Sequence, residues 1–363
     1  MNRCVLYFLF LILLFSIKLE AQSDSTQTLS EISLSPTYGT IVKHTPIFKP
    51  QITESSMGME MTYMVRKNAK TNFLKHFNYP YLGGGIVASY FGNHDVFGTA
   101  MGAMGCIKFL FMERATSNFY LRIGAGLGYL SGTHQTSYEN NVIGSHINVM
   151  ANIVGGYNYR FSPLFQIAIG GGITHFSNAR TTKPNLGINY LNVHAGLNYS
   201  ISKPQHFTKP QMDNFSLPRP KNSLIFGLGM SDKGGDDQHH VLPTFSLHYH
   251  HRHYTSMVNA LIYGASVAYK NDNYDDNIYG LAPNSDISLN FGDEIIFGKL
   301  SLGAMLGVYL YPINKTSKYW YQKYAINYTI PLKGQKFSLM TGVQLKTHYG
   351  AAELAECKLG IQF

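Results

Sequence analysis

Along most of the chain, large apolar residues alternate with small or polar ones in segments of roughly 10–16 residues, separated by clusters of Gly, Asn, Asp, Ser and Pro. A period of two is the signature of strands that bury one face, and the punctuating residues are those that build turns. The pattern is cleanest over 119–130. There Phe119, Leu121, Ile123, Ala125, Leu127 and Tyr129 share one face, while Tyr120, Arg122, Gly124, Gly126 and Gly128 share the other. The alternation predicts strands near 32–44, 55–66, 80–91, 97–111, 118–131, 142–161, 163–177, 187–201, 222–232, 241–253, 256–269, 284–297, 299–312, 318–330, 336–347 and 352–363, with no helix between them. A soluble sandwich alternates too, but sixteen such segments, an even number, fit a single-chain bacterial barrel better. The expected fold is therefore all-β, an antiparallel transmembrane β-barrel. Pro204, Pro210, Pro218 and Pro220 interrupt the pattern over 203–221, which reads as a linker or long periplasmic turn with eight candidate strands on either side. Two architectures stay open: one barrel of about 14–16 strands, or an eight-stranded unit over 22–202 followed by a β-rich C-terminal region over 222–363.

Composition places such a barrel in lipid. Charged residues make up 13% of the 363, about half of what a soluble domain carries, while Gly, Tyr and Phe number 35, 26 and 22. The mean hydropathy of -0.09 is too polar for a helical bundle, yet suits strands that need apolar residues only at alternate positions. Residues 1–21 read as a cleaved signal peptide: Arg3 supplies the positive start, Cys4–Ile17 is almost wholly apolar, and Ala21 offers a small residue at the cleavage point. That apolar run has 14 residues, short of the ~20 a spanning helix needs. Its removal leaves 27 basic against 19 acidic residues, a net charge of +8 spread along the chain. The scatter argues against nucleic acid as a partner and for attraction to anionic headgroups of outer-membrane lipids. Parity sets Cys106 with Lys108, and Cys357 with Leu359 and Phe363, so the two thiols are expected on opposite faces without a disulfide. The last strand also ends on an outward aromatic, Phe363, as the terminal strands of bacterial outer-membrane barrels do. The sequence sets no oligomeric state.

The chemistry gathers around 174–189. His175 and Ser177 share parity with Phe165, Ile167, Ile169 and Ile173, and Asn189 shares it with Leu191, Val193 and Leu197, so all three point to the greasy side. A hairpin symmetric about residue 182 sets Asn189 directly across from His175. Polar side chains on a lipid-facing surface are costly in hydrocarbon and cheaper near the interface. With a periplasmic N-terminus, this hairpin ends the seventh, upward strand and lies at the outer leaflet. An interfacial polar girdle would present the same residues. So would a hydrolytic site, in which an imidazole takes the proton of a serine hydroxyl and a third group fixes its tautomer. That chemistry calls for no cofactor.

His175-Phe176-Ser177-Asn178, followed by Pro184-Asn185-Leu186-Gly187, resembles the active-site signature of the lipid A 3-O-deacylases (PagL-type), especially their longer acyloxyacyl-hydrolase-like relatives. Asn140, Asn141, Ile143, Gly144, Ser145 and Asn148 on the preceding segment are similar to those relatives as well, and the resemblance spans about 32–202. It implies an eight-stranded outer-membrane barrel of a Gram-negative bacterium that hydrolyses an acyl ester of lipid A (lipopolysaccharide) from the barrel exterior. By this resemblance Ser177 matches the nucleophile, His175 the base and Asn185 the oxyanion position, with Asn178 a second polar contact. The family's orienting acid falls on Asn189, an amide that accepts a hydrogen bond from imidazole but cannot stabilise an imidazolium as a carboxylate does. The alternative is a non-enzymatic barrel, porin or adhesin-like, whose functional residues would line the lumen.

Other clusters carry less. Asp236, Asp237, His239, His240, His248, His250, His251 and His253 form a histidine-rich stretch, but His248, His250 and Arg252 are expected inward and His251 outward, so no zinc set converges. Asp272, Asp275 and Asp276 lack the glycine and terminal glutamate of a calcium loop. No metal is expected. Glycine runs such as Gly83-Gly84-Gly85 precede strands rather than helices and so belong to barrel geometry.

Overall fold

The computed structural model describes residues 27–69, 71–201, 207, 210, 217–232, 241–270, 285–311, 319–332 and 336–363. The expected signal peptide over 1–21, most of 203–221, Asp236, Asp237, His239, His240 and the 271–277 stretch with its aspartates lie outside them. Sixteen strands carry the chain: β1 (Thr28–Ile41), β2 (Ser56–Lys67), β3 (Tyr81–Tyr90), β4 (Thr99–Phe111), β5 (Ser117–Leu130), β6 (Ile147–Arg160), β7 (Phe165–Ser177), β8 (Ile188–Ser200), β9 (Lys221–Asp232), β10 (Val241–Tyr254), β11 (Asn259–Lys270), β12 (Ser285–Phe297), β13 (Leu300–Tyr311), β14 (Trp320–Pro331), β15 (Ser338–His348) and β16 (Ala351–Gln362). Two short helices, α1 (Asn72–His76) and α2 (His94–Phe97), sit in loops. No helix among the described residues is long and apolar enough to cross a membrane.

These strands close twice. β1 pairs with β8 to complete one antiparallel barrel, and β9 pairs with both β10 and β16 to complete a second. The single large barrel is therefore set aside, and the β-rich C-terminal region is itself a closed barrel. Its closing strand ends where Phe363 exchanges backbone hydrogen bonds with Asn222 at 2.7 and 2.8 Å.

Parity along the strands sorts side chains as the alternation requires. Phe119, Ile123 and Tyr129 are exposed on the outer face, whereas Tyr120 and Arg122 are buried inside. Eight strands enclose a space just wide enough for side chains to fill. In the first barrel Arg122 bonds Glu60 and Asn152, and Lys108 bonds Glu31. In the second, Arg252 pairs with Glu294 and Lys346 with Asp286. A cavity within the first lumen measures about 20 Å³ and one within the second about 10 Å³, roughly the space of one water. His248, His250 and Arg252 are buried in the second lumen and Cys106 in the first, while Cys357 is exposed.

The loops at one end of the first barrel fold over its mouth. Phe48, Phe91, Val96, Phe97, Val142 and Ile143 pack there on Leu130, Phe176 and Ile188 from the strand ends. This cap explains a shifted boundary. Apolar Val142 and Ile143 extend the alternation below 147, but they are wholly buried loop residues, and β6 begins at Ile147 instead of 142. At the opposite end, the guanidinium of Arg66 lies over the ring of Phe207, 4.4 Å from its centroid. Among the described residues, two contacts join the barrels. The rings of Phe73 and Phe297 meet at 4.4 Å beside the β2–β3 and β12–β13 turns, and Arg180 donates to the Ala352 carbonyl at 3.5 Å beside the β7–β8 and β15–β16 turns. Counted along the strands, these are opposite ends, so the barrels stand side by side with the same polarity.

Candidate active site

The site forms where β7 leaves the sheet. Phe176 turns inward, is 1% exposed and packs edge-on against Phe91, with ring centroids 6.0 Å apart. A glycine two strands along the wall makes the room: a Cβ on Gly128 would lie 2.6 Å from the Phe176 ring. With Phe176 pinned inside, the pleat forces His175 and Ser177 onto the outer face. On β8, Asn189 is the register partner of His175. The two side chains meet, with His175 Nδ1 2.7 Å from Asn189 Oδ1. An amide oxygen only accepts, so the proton sits on Nδ1 and the Nε2 lone pair is left for other work.

Ser177 is held by the turn that follows. Its Oγ accepts from Asn185 Nδ2 at 3.0 Å and from the Ala179 N–H at 3.2 Å, and lies 3.1 Å from Asn185 Oδ1. Among the described residues no hydrogen bond joins Ser177 to His175. They stand two positions apart on one strand face, roughly 7 Å along the backbone, and rotation of the hydroxyl toward the ring is needed to bring them together. Such contacts commonly tighten only with substrate present. Asn185 also accepts the Asn178 N–H at 3.1 Å. The Asn178 side chain also ties the loop together. Its amide donates to Ser145 Oγ at 2.9 Å and to the Thr182 carbonyl at 2.8 Å, while its oxygen accepts Arg180 N–H at 3.0 Å. These bonds brace the loop, which includes Ala179 and Arg180 at φ 55 and 65.

A second loop supports the first. Asn140, wholly buried, donates to the Val96 and Gly132 carbonyls and accepts from the N–H groups of Val142 and Ile143. The Val142 carbonyl, so fixed, takes the Leu186 N–H at 2.9 Å, and Ile143 forms a bridge with Asn185. Gly187, at φ +78, passes close to the His175 ring, where a Cβ would lie 2.7 Å from Cε1. An L side chain is disfavoured there on both counts. Asn189 Nδ2 meets His44 Nδ1 at 3.1 Å, and His44 Nε2 meets the Leu186 carbonyl at 3.1 Å. The sequence gives no sign of His44, because its place depends on β1 closing against β8.

Beside the site, the barrel exterior is hollowed. A groove of about 670 Å³ is lined by Met59, Met61, Ile86, Met101, Ala103, Leu127, Ile147 and Val149 and reaches Asn178. Val149 is the register partner of Ser177, so the groove abuts the hydroxyl.

Two family descriptions match this chain: "Lipid A 3-O-deacylase (PagL)" over residues 37–198 and "Acyloxyacyl hydrolase, C-terminal domain" over 222–363. The chain belongs to this PagL-type deacylase and acyloxyacyl hydrolase family of outer-membrane barrels. The first match coincides with the first barrel and the second with the other. Among solved structures, the chain is similar to the outer membrane enzyme PagL at 15% identity and TM-score 0.33, covering 45% of this chain and 97% of that one. It is also similar to Neisserial surface protein A at 10% identity and TM-score 0.31, covering 48% and 99%. A third, OccK5 of Pseudomonas aeruginosa, aligns at 6% identity and TM-score 0.21, covering 93% and 97%. No curated protein matches the chain. Family and barrel together place the protein in the outer membrane of a Gram-negative bacterium.

None of the five residues singled out in the sequence lies in a lumen. His175, Ser177, Asn185 and Asn189 converge on the exterior, and Asn178 braces the loop beneath them. Among the described residues no group of three His, Cys, Asp or Glu side chains could hold a metal.

Proposed function

We propose that the protein is a serine esterase that removes an ester-linked acyl chain from lipid A at the outer leaflet. The observation that carries this reading is the 2.7 Å hydrogen bond from His175 to Asn189 on the outer wall, beside Ser177 and the mouth of an apolar groove. A base with a free nitrogen on the same strand face as a hydroxyl, next to a slot fit for a hydrocarbon tail, suits an amphiphilic ester that never leaves the membrane. Ser177 Oγ attacks the ester carbonyl while His175 Nε2 takes its proton. Asn185 Nδ2, already 3.0 Å from Oγ, donates to the carbonyl oxygen as it gains charge. The protonated imidazole then gives its proton to the departing sugar hydroxyl, leaving the acyl chain on Ser177. Water, deprotonated by the same imidazole, hydrolyses that acyl-enzyme and restores the serine. The lumen-facing charges Glu31, Glu60, Lys108 and Arg122 are buried and paired with one another, which favours a packed interior over a pore.

Mass spectrometry of lipid A from cells with and without the protein tests the proposal. Loss of one acyl chain is expected with the wild type and not with Ser177→Ala, whose barrel should still fold because the side chain lies outside the packed interior. An unchanged acylation pattern across several lipid A types, or full activity in Ser177→Ala, would overturn it.

A further inference from the structure

We propose that His44, in the loop after β1, is a positioning residue that sets the orientation of the Asn189 amide and through it the tautomer of His175; this rests on the esterase reading above. An amide differs from a carboxylate in having one accepting and one donating end. If the Asn189 amide were reversed, Nδ2 would face His175 Nδ1, the imidazole proton would move to Nε2, and the base beside Ser177 would be lost. Something must therefore choose the orientation, and the bonds beyond Asn189 do so in sequence. The Leu186 carbonyl can only accept, so His44 donates to it from Nε2 across 3.1 Å. That leaves the neutral ring of His44 with an accepting Nδ1, which takes the Asn189 Nδ2 proton across 3.1 Å. Asn189 Oδ1 is thereby presented to His175 Nδ1 at 2.7 Å. Each bond fixes the polarity of the next, from a backbone carbonyl to the imidazole of His175.

The chain of bonds also has an off state. A proton added to His44 occupies Nδ1, which then cannot accept from Asn189, and the amide gains by reversing. Among the described residues, the titratable and charged groups that the contacts place by His44 are His175, beyond the amide, and Lys43, whose ammonium lies 5.6 Å from the centroid of the Phe48 ring that His44 meets edge-on.

The test uses purified full-length barrel in detergent with lipid A. His44→Ala should lower kcat at least tenfold with little change in KM. His44→Asn, which restores an accepting oxygen near the place of Nδ1, should recover it to within a few-fold. In an Asn189→Glu background both partner oxygens accept, the choice of orientation disappears, and His44→Ala should cost less than twofold. An equal loss in both backgrounds, or none in the wild type, overturns the proposal. Nitrogen-15 spectra of the labelled imidazoles read the tautomer without turnover: His175 should be protonated at Nδ1 in the wild type and mixed in His44→Ala, and identical spectra would sink the idea. Activity surviving in Ser177→Ala instead condemns the esterase reading and leaves the tautomer result standing or falling on its own.

Discussion

Position 189 separates two things that a carboxylate does together, orienting an imidazole and stabilising its cation. When the acid of a Ser-His-Asp triad is replaced by the amide, the wrong tautomer costs about 10⁴ in kcat. Here Asn189 presents its oxygen to His175 Nδ1 at 2.7 Å, so only the charge is missing. A hydrogen bond to a charged partner is worth about 1 kcal/mol more than a neutral one, roughly fivefold in rate. Asn189→Glu is therefore expected to raise kcat about that much, measured on purified lipid A, and a loss of tenfold or more would contradict the geometry. The facing of 175 and 189 was legible in the sequence because a hairpin is local, and symmetry about 182 suffices to pair them. His44 was not, because 145 residues separate it from Asn189 and only barrel closure unites them. The bracing by Asn178 was hidden for a related reason: a motif gives a residue's position, and only the loop around it tells which of its atoms are already taken.

At the scale of the strand, what matters is which residues line up across the wall. Met61, Ile86, Ala103, Leu127, Val149 and Ser177 are successive register partners on β2 to β7, a row of outward side chains that leads to the hydroxyl. Within it Ala103 is small, and its neighbours Ile86 and Leu127 rise on either side of the groove it helps line. A bulky residue at 103 should fill the slot while leaving the ladder and the lumen untouched, since the side chain faces lipid. Ala103→Trp is expected to raise KM for long-chain acyl substrates at least fivefold and to leave hydrolysis of a short, water-soluble ester unchanged. Equal effects on both would show that the groove does not hold the acyl chain. Strand positions were readable throughout because alternation depends on nothing beyond the strand itself. The exception at β6 is instructive: Val142 and Ile143 are apolar because the cap over the barrel mouth needs them, and period two cannot tell a plug from a strand.

For the whole molecule, alternation fixes the face of each side chain and says nothing about which strands are neighbours. Sixteen strands can make one wide barrel or two narrow ones, and the difference lies in what fills the lumen. A wide barrel leaves an aqueous channel; an eight-stranded one must be packed. The inward Glu31, Glu60, Lys108 and Arg122 of the first barrel are paired and buried at 2%, 9%, 5% and 6% exposure, which suits the narrow lumen. Each barrel satisfies its own edge strands, β1 with β8 and β9 with β16, so neither borrows a backbone partner from the other. Phe207 packs against Tyr79 and Arg66 of the first barrel, so that unit extends into the Pro-rich stretch. A chain ending at residue 221 should therefore refold in detergent with the heat-modifiable gel mobility of a closed barrel. The site lies wholly on the first barrel, and the second touches its loop through the Arg180 bond to Ala352 at 3.5 Å. Turnover of lipid A by the shortened protein is accordingly expected within a few-fold of the full chain. If the shortened protein shows no mobility shift on heating, closure of the first barrel depends on the second, and the division of the chain into two self-complete units is wrong.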